Sequence, residues 1–229
     1  MNMASTHPKV ALYDMDRTIT VRGTYTPFLF HMVFKCAPWR IVFLPILPLG
    51  FLAYGLKLIN RAQLKTFNQY FLLGGSPKLK SLEAEIESYA DHVLLTNCHI
   101  KAVEQVESDR KNDRILVLVT ASYELYVDSI ARRLGFDHVI GTQLDIDQAG
   151  AVRPRIIGEN CYGDAKIGRI EALFDQQGWQ RTDAHVRAYS DHVSDQPMLE
   201  WADEAVATTP SPALRQLAEK RGWKIVDWV

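Results

Sequence analysis

The sequence predicts an α/β protein in which a parallel sheet carries helices on both faces and a helical insertion follows the first strand. Short apolar or β-branched runs predict five buried strands: VALYDM (10–15), ILVLVT (115–120), HVIGTQL (138–144), HVRAYS (185–190) and EAVAT (204–208). Helical patterns separate the later strands, and strands that alternate with helices favour a parallel sheet. Between about residues 23 and 110 no strand pattern is convincing, so that region is predicted to be helical.

Length and composition are consistent with this architecture. The chain has 229 residues, of which 47% are hydrophobic, enough for a substantial core. Its cysteines, Cys36, Cys98 and Cys161, are widely spaced and form no C-x-x-C pair, so a disulfide framework is not expected. The start MNMASTHPKVALYDMD lacks the basic and apolar parts of a secretion signal. We therefore expect a cytoplasmic protein that is not secreted.

The first predicted strand leads into YDMDRT, which contains Asp14 and Asp16. Ligands of open α/β sheets bind beyond the carboxyl ends of the strands, so this pair of carboxylates is well placed for a site. Taken alone, the D-x-D pattern fits equally well an aspartate that caps a helix or forms a turn. The later strand ends have to decide between these two interpretations.

The helical region that follows is predicted to be an insertion into the α/β core. One stretch has apolar residues at steps of three and four, as in an amphipathic helix: Leu79, Leu82, Ile86, Tyr89 and Val93. The alternation of strands and helices resumes only after residue 110. We therefore predict a core formed by residues 1–22 and 111–229 and a helical insertion formed by residues 23–110.

The first part of the insertion is also set apart by its charge. No Asp or Glu occurs between Asp16 and Glu83, and residues 17–82 carry nine of the 26 Lys and Arg residues. The rest of the chain carries the other 17, together with all 27 acidic residues. A net charge of −1 thus conceals a basic segment within an acidic chain.

Polar side chains follow the later strands as well. Thr120 ends ILVLVT, Asp191 follows HVRAYS, and Asp195 comes four residues later. Parallel strands bring their carboxyl ends to one edge, so these groups should converge with Asp14 and Asp16. Several carboxylates repel one another unless a cation is present, and oxygen ligands favour a hard ion such as Mg²⁺.

The second strand and a later helix supply groups that suit an anion. The Thr120 hydroxyl is followed by the backbone N–H groups of Ala121 and Ser122, which are predicted to open the next helix. Lys166 begins another helix, in CYGDAK, and adds a positive charge. A carboxylate nucleophile, a metal, a hydroxyl and a lysine together predict a site for a phosphoryl group.

The order of these groups resembles the four motifs of the haloacid dehalogenase superfamily, in the branch that includes phosphoserine phosphatase. The resemblance rests on DMDRT, the TAS after a strand, the lysine in NCYGDAK, and YSDHVSDQPML, and it runs from about residue 9 to about residue 209. It implies a Rossmann-like core, and the helical insertion is similar to that family's cap domain. An apolar cap with the Pro-rich run LPILPLG resembles, more narrowly, the phosphatidylglycerophosphatase C group, which removes the phosphate from a lipid headgroup.

The resemblance implies a role for each motif residue. Asp14 is expected to attack phosphorus and form an aspartyl-phosphate, while Asp16 protonates the leaving alcohol and then deprotonates the hydrolytic water. Thr120 and Lys166 are expected to hold the phosphoryl oxygens and offset their developing charge.

Magnesium is the cofactor that the resemblance implies. The Asp14 carboxylate, the Asp16 main-chain carbonyl and Asp191 are expected to bind Mg²⁺ directly, with Asp195 supporting its shell. One departure from the family is Arg17, which stands where the family usually has glycine. If that position requires a positive φ, arginine costs on the order of 1 kcal/mol, and it also adds a cation at the mouth of the site.

The run IVFLPILPLGFLAYGL, residues 41–56, contains sixteen residues without a formal charge. That is just below the roughly 17 to 25 residues of a transmembrane helix, and its two prolines and two glycines argue against one straight helix. A single crossing of a membrane is excluded, because Asp14 before the run and Thr120 after it must share one site.

Three interpretations of the run stay open: a buried core of the cap, a dimer interface, or interfacial or re-entrant insertion into a membrane. The run is flanked by basic residues with no acid nearby: Lys35, Arg40, Lys57, Arg61 and Lys65. Each such residue near an anionic leaflet contributes roughly 1 kcal/mol to binding. This charge pattern favours an anionic membrane surface as the partner of the cap.

We therefore predict a Mg²⁺-dependent phosphomonoesterase that acts on a membrane lipid phosphate such as phosphatidylglycerophosphate, at the inner face of the membrane. The main alternative is a soluble phosphatase for a small metabolite, such as a phosphoserine-like ester, with the apolar run buried. A non-catalytic binding protein on the same fold is a further alternative, which the intact set of motif residues disfavours. We expect no nucleic-acid partner, and a homodimer stays open.

Overall fold

A central sheet of six parallel strands organises the protein, whose computed structural model describes residues 7–228. Residues 1–6 and 229 lie outside the described residues. They include part of the segment that was examined for a secretion signal and both ends of the predicted core. The strands along the chain are β1 (Lys9–Tyr13), β2 (Ile115–Tyr123), β3 (His138–Thr142), β4 (Leu144–Ile146), β5 (Val152–Ile156), β6 (His185–Ser190), β7 (Glu204–Thr208) and β8 (Lys224–Val226).

β1 lies inside the sheet, whose strand order is β3-β2-β1-β6-β7-β8. Its neighbours run parallel to it, with Tyr13 opposite Leu118 of β2 and opposite Tyr189 of β6. The carboxyl ends of β1, β2 and β6 therefore lie side by side at one edge. This arrangement confirms the predicted α/β fold, and all five predicted strands belong to the sheet.

Several strand boundaries differ from the prediction. β2 continues to Tyr123, beyond a register shift opposite β3, so the prediction that Ala121 and Ser122 open a helix is wrong. The predicted strand HVIGTQL ends at Thr142, and the residues after it begin β4, which pairs with β5 in a separate antiparallel ribbon. Apolar runs indicate where a strand is buried, whereas these boundaries depend on pairing with a distant strand.

The region between β1 and β2 is helical, as predicted. Its elements are α1 (Tyr25–Cys36), a 3-10 helix (Pro38–Ile46), α2 (Leu47–Gly55), α3 (Arg61–Leu72), α4 (Leu79–Thr96) and α5 (Ile100–Lys111). In α4 the apolar stripe is buried at Leu82, Ile86, Tyr89 and Val93, which confirms the amphipathic pattern. The predicted boundaries of the cap, residues 23 and 110, stay a prediction.

The chain enters and leaves this region at one place. Thr20 and Cys98 form an antiparallel bridge, and the Val21 N–H donates to the Asn97 carbonyl at 2.8 Å. Beyond this crossing, α5 packs near the sheet, where Asp109 accepts hydrogen bonds from two tyrosine hydroxyls of the central strands. The two crossings therefore lie side by side, directly beyond β1.

The remaining helices cover both faces of the sheet. They are α6 (Glu124–Leu134), α7 (Ala165–Gln177), α8 (Gln196–Trp201) and α9 (Pro212–Arg221). Val10 belongs to a cluster with Ile170 of α7 and Leu214 of α9, whereas the next residue, Ala11, belongs to a cluster with Ile130 of α6. Since successive strand residues point to opposite faces, the molecule has the three layers that were predicted.

The apolar run forms a broken helical segment that packs on one side only. At Gly50 the backbone lies so close to the Phe67 ring that a Cβ would come within 2.7 Å of it. Elsewhere in Pro38–Gly55 the side chains are not buried, so the buried-core interpretation is wrong. The α-helices α1 and α3 contact the segment. Because the segment is apolar on all sides, much of its apolar surface remains uncovered.

Large exposed hydrophobic side chains continue from the end of α1 to the residues after α2. We call this set the apolar surface: Phe34, Trp39, Ile41, Val42, Leu49, Phe51, Leu52, Tyr54, Leu56 and Leu58. Within residues 7–228, Pro38–Gly55 is the segment whose length and composition would suffice to cross a membrane, and only 11% of it is buried.

Candidate active site

The carboxyl edge of the sheet holds a cavity of about 400 Å³. It is lined by residues from the ends of β1, β2 and β6, from α7, and from the insertion: Asp14, Asp16, Arg17, Gly23, Tyr25, Thr26, Pro27, Arg61, Thr120, Ala121, Tyr162, Lys166, Asp191, His192, Ser194 and Asp195. The structure thus brings together the residues predicted from the sequence. Ser122 is the exception, since it does not line the cavity.

Lys166 is the central cation of the cavity. Its side chain is 1% exposed, and its Nζ donates to Asp14 Oδ1 at 2.7 Å and to Asp195 Oδ2 at 2.8 Å. The Ser190 hydroxyl donates to the same Asp195 oxygen at 2.7 Å. Lys166 therefore holds Asp14, the predicted nucleophile, close to Asp195, which was expected to support the metal shell.

The edge contains more negative charge than Lys166 offsets. Burial, together with Asp195 and Asp191, raises the pKa of Asp14 to about 8, against the lowering effect of Lys166. Burial and the nearby Asp195 raise the pKa of Asp191 to about 6. Burial alone would lower the pKa of Lys166, but the two carboxylates beside it raise that pKa above its ordinary value. A cation at this edge would relieve the repulsion between the carboxylates.

Asp16 is oriented by hydrogen bonds from the insertion and from the core. The N–H and hydroxyl of Thr24 donate to its Oδ1 at 2.7 and 2.8 Å, and the Ser122 hydroxyl donates to its Oδ2 at 2.7 Å. Thr24 is itself fixed, because its carbonyl accepts from the Tyr89 hydroxyl at 2.6 Å and its own hydroxyl bonds that of Tyr126 at 2.8 Å. Thr24 stands in no local sequence pattern with Asp16, so its role could not be predicted from the sequence.

Ser122 and Ala121 form backbone hydrogen bonds with neighbouring side chains. The Ser122 N–H donates to the Thr120 hydroxyl at 3.1 Å. The Ala121 carbonyl accepts from Lys65 Nζ at 2.6 Å and from the Thr142 hydroxyl at 2.8 Å. Of these neighbouring residues, Thr120 and Ala121 line the cavity, while the predicted phosphate-binding role of the Ser122 N–H stays a prediction.

Lys65 joins the insertion to the second strand. This buried side chain also donates to Asn160 Oδ1 at 3.0 Å, and its amine lies 4.4 Å from the centre of the Tyr123 ring. Burial lowers the pKa of Lys65 to about 7. In the sequence Lys65 is one member of the basic flank, and a composition pattern does not show which lysine turns inward.

The loop after β1 holds Arg17 in the left-handed backbone conformation that favours glycine. Arg17 has φ of +68°, so the predicted cost on the order of 1 kcal/mol applies at this position. The next residue, Thr18, accepts the Asp191 N–H at 3.0 Å and directs its hydroxyl to Asp191 Oδ1 at 3.3 Å. The loop is therefore tied directly to the end of β6.

Comparison with protein families gives one match over most of the chain. The model of the haloacid dehalogenase-like hydrolases matches residues 11–200. The chain is 37% identical over 136 residues to a phosphoserine phosphatase of Mycobacterium tuberculosis, which is 58% of this chain and 39% of that protein. It is 30% identical over 199 residues to protein CicA of Caulobacter vibrioides, which is 86% of this chain and 84% of that protein. The chain spans less than half the length of the Mycobacterium tuberculosis relatives.

Solved structures share the fold. A protein of unknown function from Bordetella pertussis has a TM-score of 0.83 at 26% identity, with 97% of this chain and 100% of that chain covered. A phosphoserine phosphatase, described as its phospho-aspartyl intermediate analogue, has a TM-score of 0.62 at 17% identity, with 97% and 94% covered. The predicted resemblance to the phosphoserine phosphatase branch is confirmed. The narrower resemblance to the phosphatidylglycerophosphatase C group stays a prediction.

Proposed function

The chain belongs to the haloacid dehalogenase-like hydrolase family, and we propose that it hydrolyses phosphomonoesters through Asp14. The observation that carries this proposal is the contact of one buried lysine with two carboxylates, Asp14 and Asp195, at the end of the central strand. A carboxylate fixed beside a permanent positive charge, in a cavity open to solvent, is suited to attack an anionic phosphorus centre.

The proposed reaction has two steps. A carboxylate oxygen of Asp14 attacks phosphorus, the bond from phosphorus to the ester oxygen breaks, and the leaving alcohol takes a proton from Asp16. A water molecule then attacks the aspartyl-phosphate and gives its proton to Asp16, which releases inorganic phosphate and restores Asp14. The three hydrogen bonds on Asp16 support this role, since they fix the direction from which its proton is transferred.

Mg²⁺ is the proposed cofactor, and the chemistry of the edge fits it. Its donors are carboxylate and carbonyl oxygens, and burial together with neighbouring carboxylates raises the pKa of Asp14 and of Asp191, so a bound cation would favour their charged forms. Among residues 7–228, no three His, Cys, Asp or Glu side chains form a complete cluster for a metal. Asp14, Asp191 and the Asp16 carbonyl would therefore hold the ion together with water, and the ion would offset charge on the phosphoryl oxygens.

The proposed substrate is a membrane lipid phosphate, of which phosphatidylglycerophosphate is an example. Exposed apolar patches larger than a few hundred Å² are uncommon on soluble monomers and mark contact with a partner or a membrane. On the apolar surface Val42 is 67% exposed and Leu49 is 62% exposed, in a segment that contains basic residues and no acidic ones. These features support an anionic bilayer as the partner and a peripheral location at the inner face of the membrane.

A soluble small-metabolite phosphatase is the second candidate. The name of the Mycobacterium tuberculosis relative, a phosphoserine phosphatase, favours it. The exposure of the apolar surface argues against it, because a soluble enzyme gains nothing from leaving these side chains in water.

Release of inorganic phosphate from a panel of esters tests the proposal. The panel pairs lipid phosphates in vesicles with soluble phosphomonoesters, including phosphoserine, and each reaction is repeated with a chelator. We expect the largest kcat/KM for lipid phosphate and loss of activity with the chelator. Asp14→Asn should abolish release, whereas Asp175→Asn, which changes an exposed aspartate of α7, should leave it unchanged.

Three results would contradict parts of the proposal separately. Full activity of Asp14→Asn would exclude the nucleophile, and full activity in chelator would exclude the metal. Rapid turnover of soluble esters, without flotation of the protein on anionic vesicles, would replace the lipid substrate by a small metabolite.

A further inference from the structure

We propose that Arg61 binds a second anionic group of the substrate, a phosphodiester that lies between the reacting phosphate and the apolar part of the molecule. The inference rests on the proposed function and adds a specificity-determining residue to it. Its starting point is the position of Arg61 at the first residue of α3, between the candidate active site and the apolar surface.

Arg61 lines three adjoining cavities. The first is the candidate active site. The second, of about 760 Å³, lies along the end of the apolar surface and is lined by Tyr54 and Leu58 among others. The third, of about 430 Å³, shares Tyr54 with the second cavity and Tyr162 with the first. A molecule whose apolar end rests beside Leu58 and whose phosphate reaches Asp14 therefore passes Arg61.

The charge of Arg61 is available, whereas the charges of the two buried lysines nearby are not. Lys166 gives its donors to two carboxylates, and Lys65 gives its donors to the oxygens of Ala121 and Asn160. Arg61 forms no ion pair within residues 7–228, although Glu159 and Asp164 line the third cavity with it. Its guanidinium instead lies 4.3 Å from the centre of the Tyr162 ring, a contact that orients the group without neutralising it.

The geometry of a guanidinium favours a phosphodiester as the ligand. Its planar array of donors matches two phosphate oxygens at once, which an ammonium group does not. The backbone beneath it is fixed, because Asn60 and Gln63 form a reciprocal capping box at the start of α3. Arg17 is the other arginine at the mouth of the active-site cavity, but it does not line the two cavities on the apolar side.

The proposed role of Arg61 predicts which lipid substrates the enzyme distinguishes. A lipid with a terminal phosphate and an internal phosphodiester engages Arg61, while phosphatidic acid, whose only phosphate is the reacting one, does not. The test compares short-chain phosphatidylglycerophosphate with short-chain phosphatidic acid, both dissolved as monomers, so that vesicle binding does not contribute. Wild type, Arg61→Gln, Arg61→Lys and the control Lys35→Gln are assayed side by side; Lys35 is an exposed cap cation that lines none of these cavities.

We expect Arg61→Gln to raise KM for phosphatidylglycerophosphate by about ten- to a hundredfold, with little change in kcat, and to leave both constants for phosphatidic acid unchanged. Arg61→Lys should show an intermediate KM, since it keeps the charge and loses the two-point contact. Lys35→Gln should behave as wild type with both lipids. Circular dichroism of each variant checks that the fold is retained.

Two outcomes overturn the inference alone: an equal loss of kcat/KM on both lipids in Arg61→Gln, or a preference that the substitution does not change. If wild type hydrolyses soluble esters but neither lipid, the inference falls and the phosphatase proposal stands. If wild type releases no phosphate from any ester, the proposed function falls and the inference falls with it.

Discussion

The candidate active site and the apolar surface depart from the usual distribution of residues in opposite directions. The first buries charged groups: Asp14, Lys166, Asp191 and Asp195. The second exposes hydrocarbon, with Leu52 at 59% and Leu58 at 74%. Buried charge is costly unless it is paired, and exposed apolar area forgoes about 25 cal/mol per Å². Much of the first cost is offset within the chain by Lys166, whereas the second is left for a partner outside it.

Helix α3 connects the two regions. Lys65 reaches the Ala121 carbonyl of β2 from this helix, and Phe67, half a turn further, faces Gly50 of α2. Helix α3 therefore links the apolar surface, where a partner would bind, to the strand that carries Thr120. Substitutions in one region, or in the residues that join them, separate the contributions of the two regions to activity and stability.

Lys166→Met should have the largest effect, because it removes the cation that the buried carboxylates share. We expect phosphate release below about one thousandth of wild type and a free energy of unfolding lower by roughly 3 kcal/mol at pH 8. Burial already raises the pKa of Asp14 to about 8, and loss of Lys166 removes an opposing effect. The folded variant then binds protons more tightly than the unfolded chain, so its stability falls as pH rises and the deficit is smaller at pH 5.

Urea unfolding followed by tryptophan fluorescence at pH 5 and pH 8 measures this effect. The control Lys220→Met removes an exposed lysine from the last turn of α9 and should unfold like wild type. Equal stability of Lys166→Met and wild type at pH 8 would show that the carboxylates do not depend on Lys166.

The combined substitution Val42→Ser, Leu49→Ser and Leu52→Ser should affect the other region alone. Because these side chains are already in water, we expect each change to alter the free energy of unfolding by less than about 0.5 kcal/mol. Flotation on anionic vesicles should fall at least tenfold, since the transfer of each leucine from water to lipid contributes roughly 1.5 kcal/mol or more. Turnover of a soluble ester should be retained.

Leu95→Ser combined with Ile100→Ser is the matched control, because both side chains are highly exposed outside the apolar surface. Unchanged flotation of the triple variant would contradict the membrane interpretation. A conversion from dimer to monomer in sedimentation would instead assign the apolar surface to a second copy of the chain.

Thr24→Val should give an intermediate effect that depends on the leaving group. The substitution removes the hydroxyl that holds Asp16 and keeps the size of the side chain. We expect kcat/KM, which reports the steps up to release of the alcohol, to fall by about ten- to a hundredfold for an alkyl phosphate and to change little for p-nitrophenyl phosphate, because nitrophenolate leaves without a proton. Thr24→Ser should restore the alkyl activity, and Thr182→Val, at an exposed threonine, serves as control. An equal loss on both esters would contradict a positioning role.

Lys65→Met should change the pH dependence of stability. Burial lowers the pKa of Lys65 from its ordinary value of 10.5 to about 7, so between these values the unfolded chain binds more protons than the folded one. Stability of the wild type should therefore rise with pH in this range, by up to about 1.4 kcal/mol per unit. Urea unfolding at pH 7, 8 and 9 should show a smaller rise in Lys65→Met and a wild-type rise in Lys80→Met. Identical slopes for all three proteins would show that Lys65 does not titrate in this range.

Sequence patterns predicted those features that depend on strand ends. Asp14, Thr120 and Asp191 follow three buried apolar runs, and parallel strands must bring such positions to one edge. Gly135, Gly178 and Gly222 lie at the ends of α6, α7 and α9 and are a signal of the same local kind. The sheet, its helices and the residues around the cavity could be predicted because each follows from spacing within a few residues.

Contacts between distant segments could not be predicted in this way. Thr24 reaches Asp16 through a turn of the chain that has no periodic pattern, and Lys65 is one basic residue among several until its contact with Ala121 is known. The continuation of β2 to Tyr123 requires its partner Thr142. Composition likewise does not distinguish a buried apolar run from an exposed one, since that depends on how many neighbours cover it.

The paired crossing at Thr20 and Cys98 has a consequence for how such enzymes diversify. The two strands of the crossing lie one hydrogen bond apart, so the insertion adds length to the chain without moving β1 away from β2. The entropy of closing such a loop grows only slowly with its length. Insertions of different size and surface chemistry can therefore be exchanged at this junction without rebuilding the sheet that carries Asp14 and Thr120.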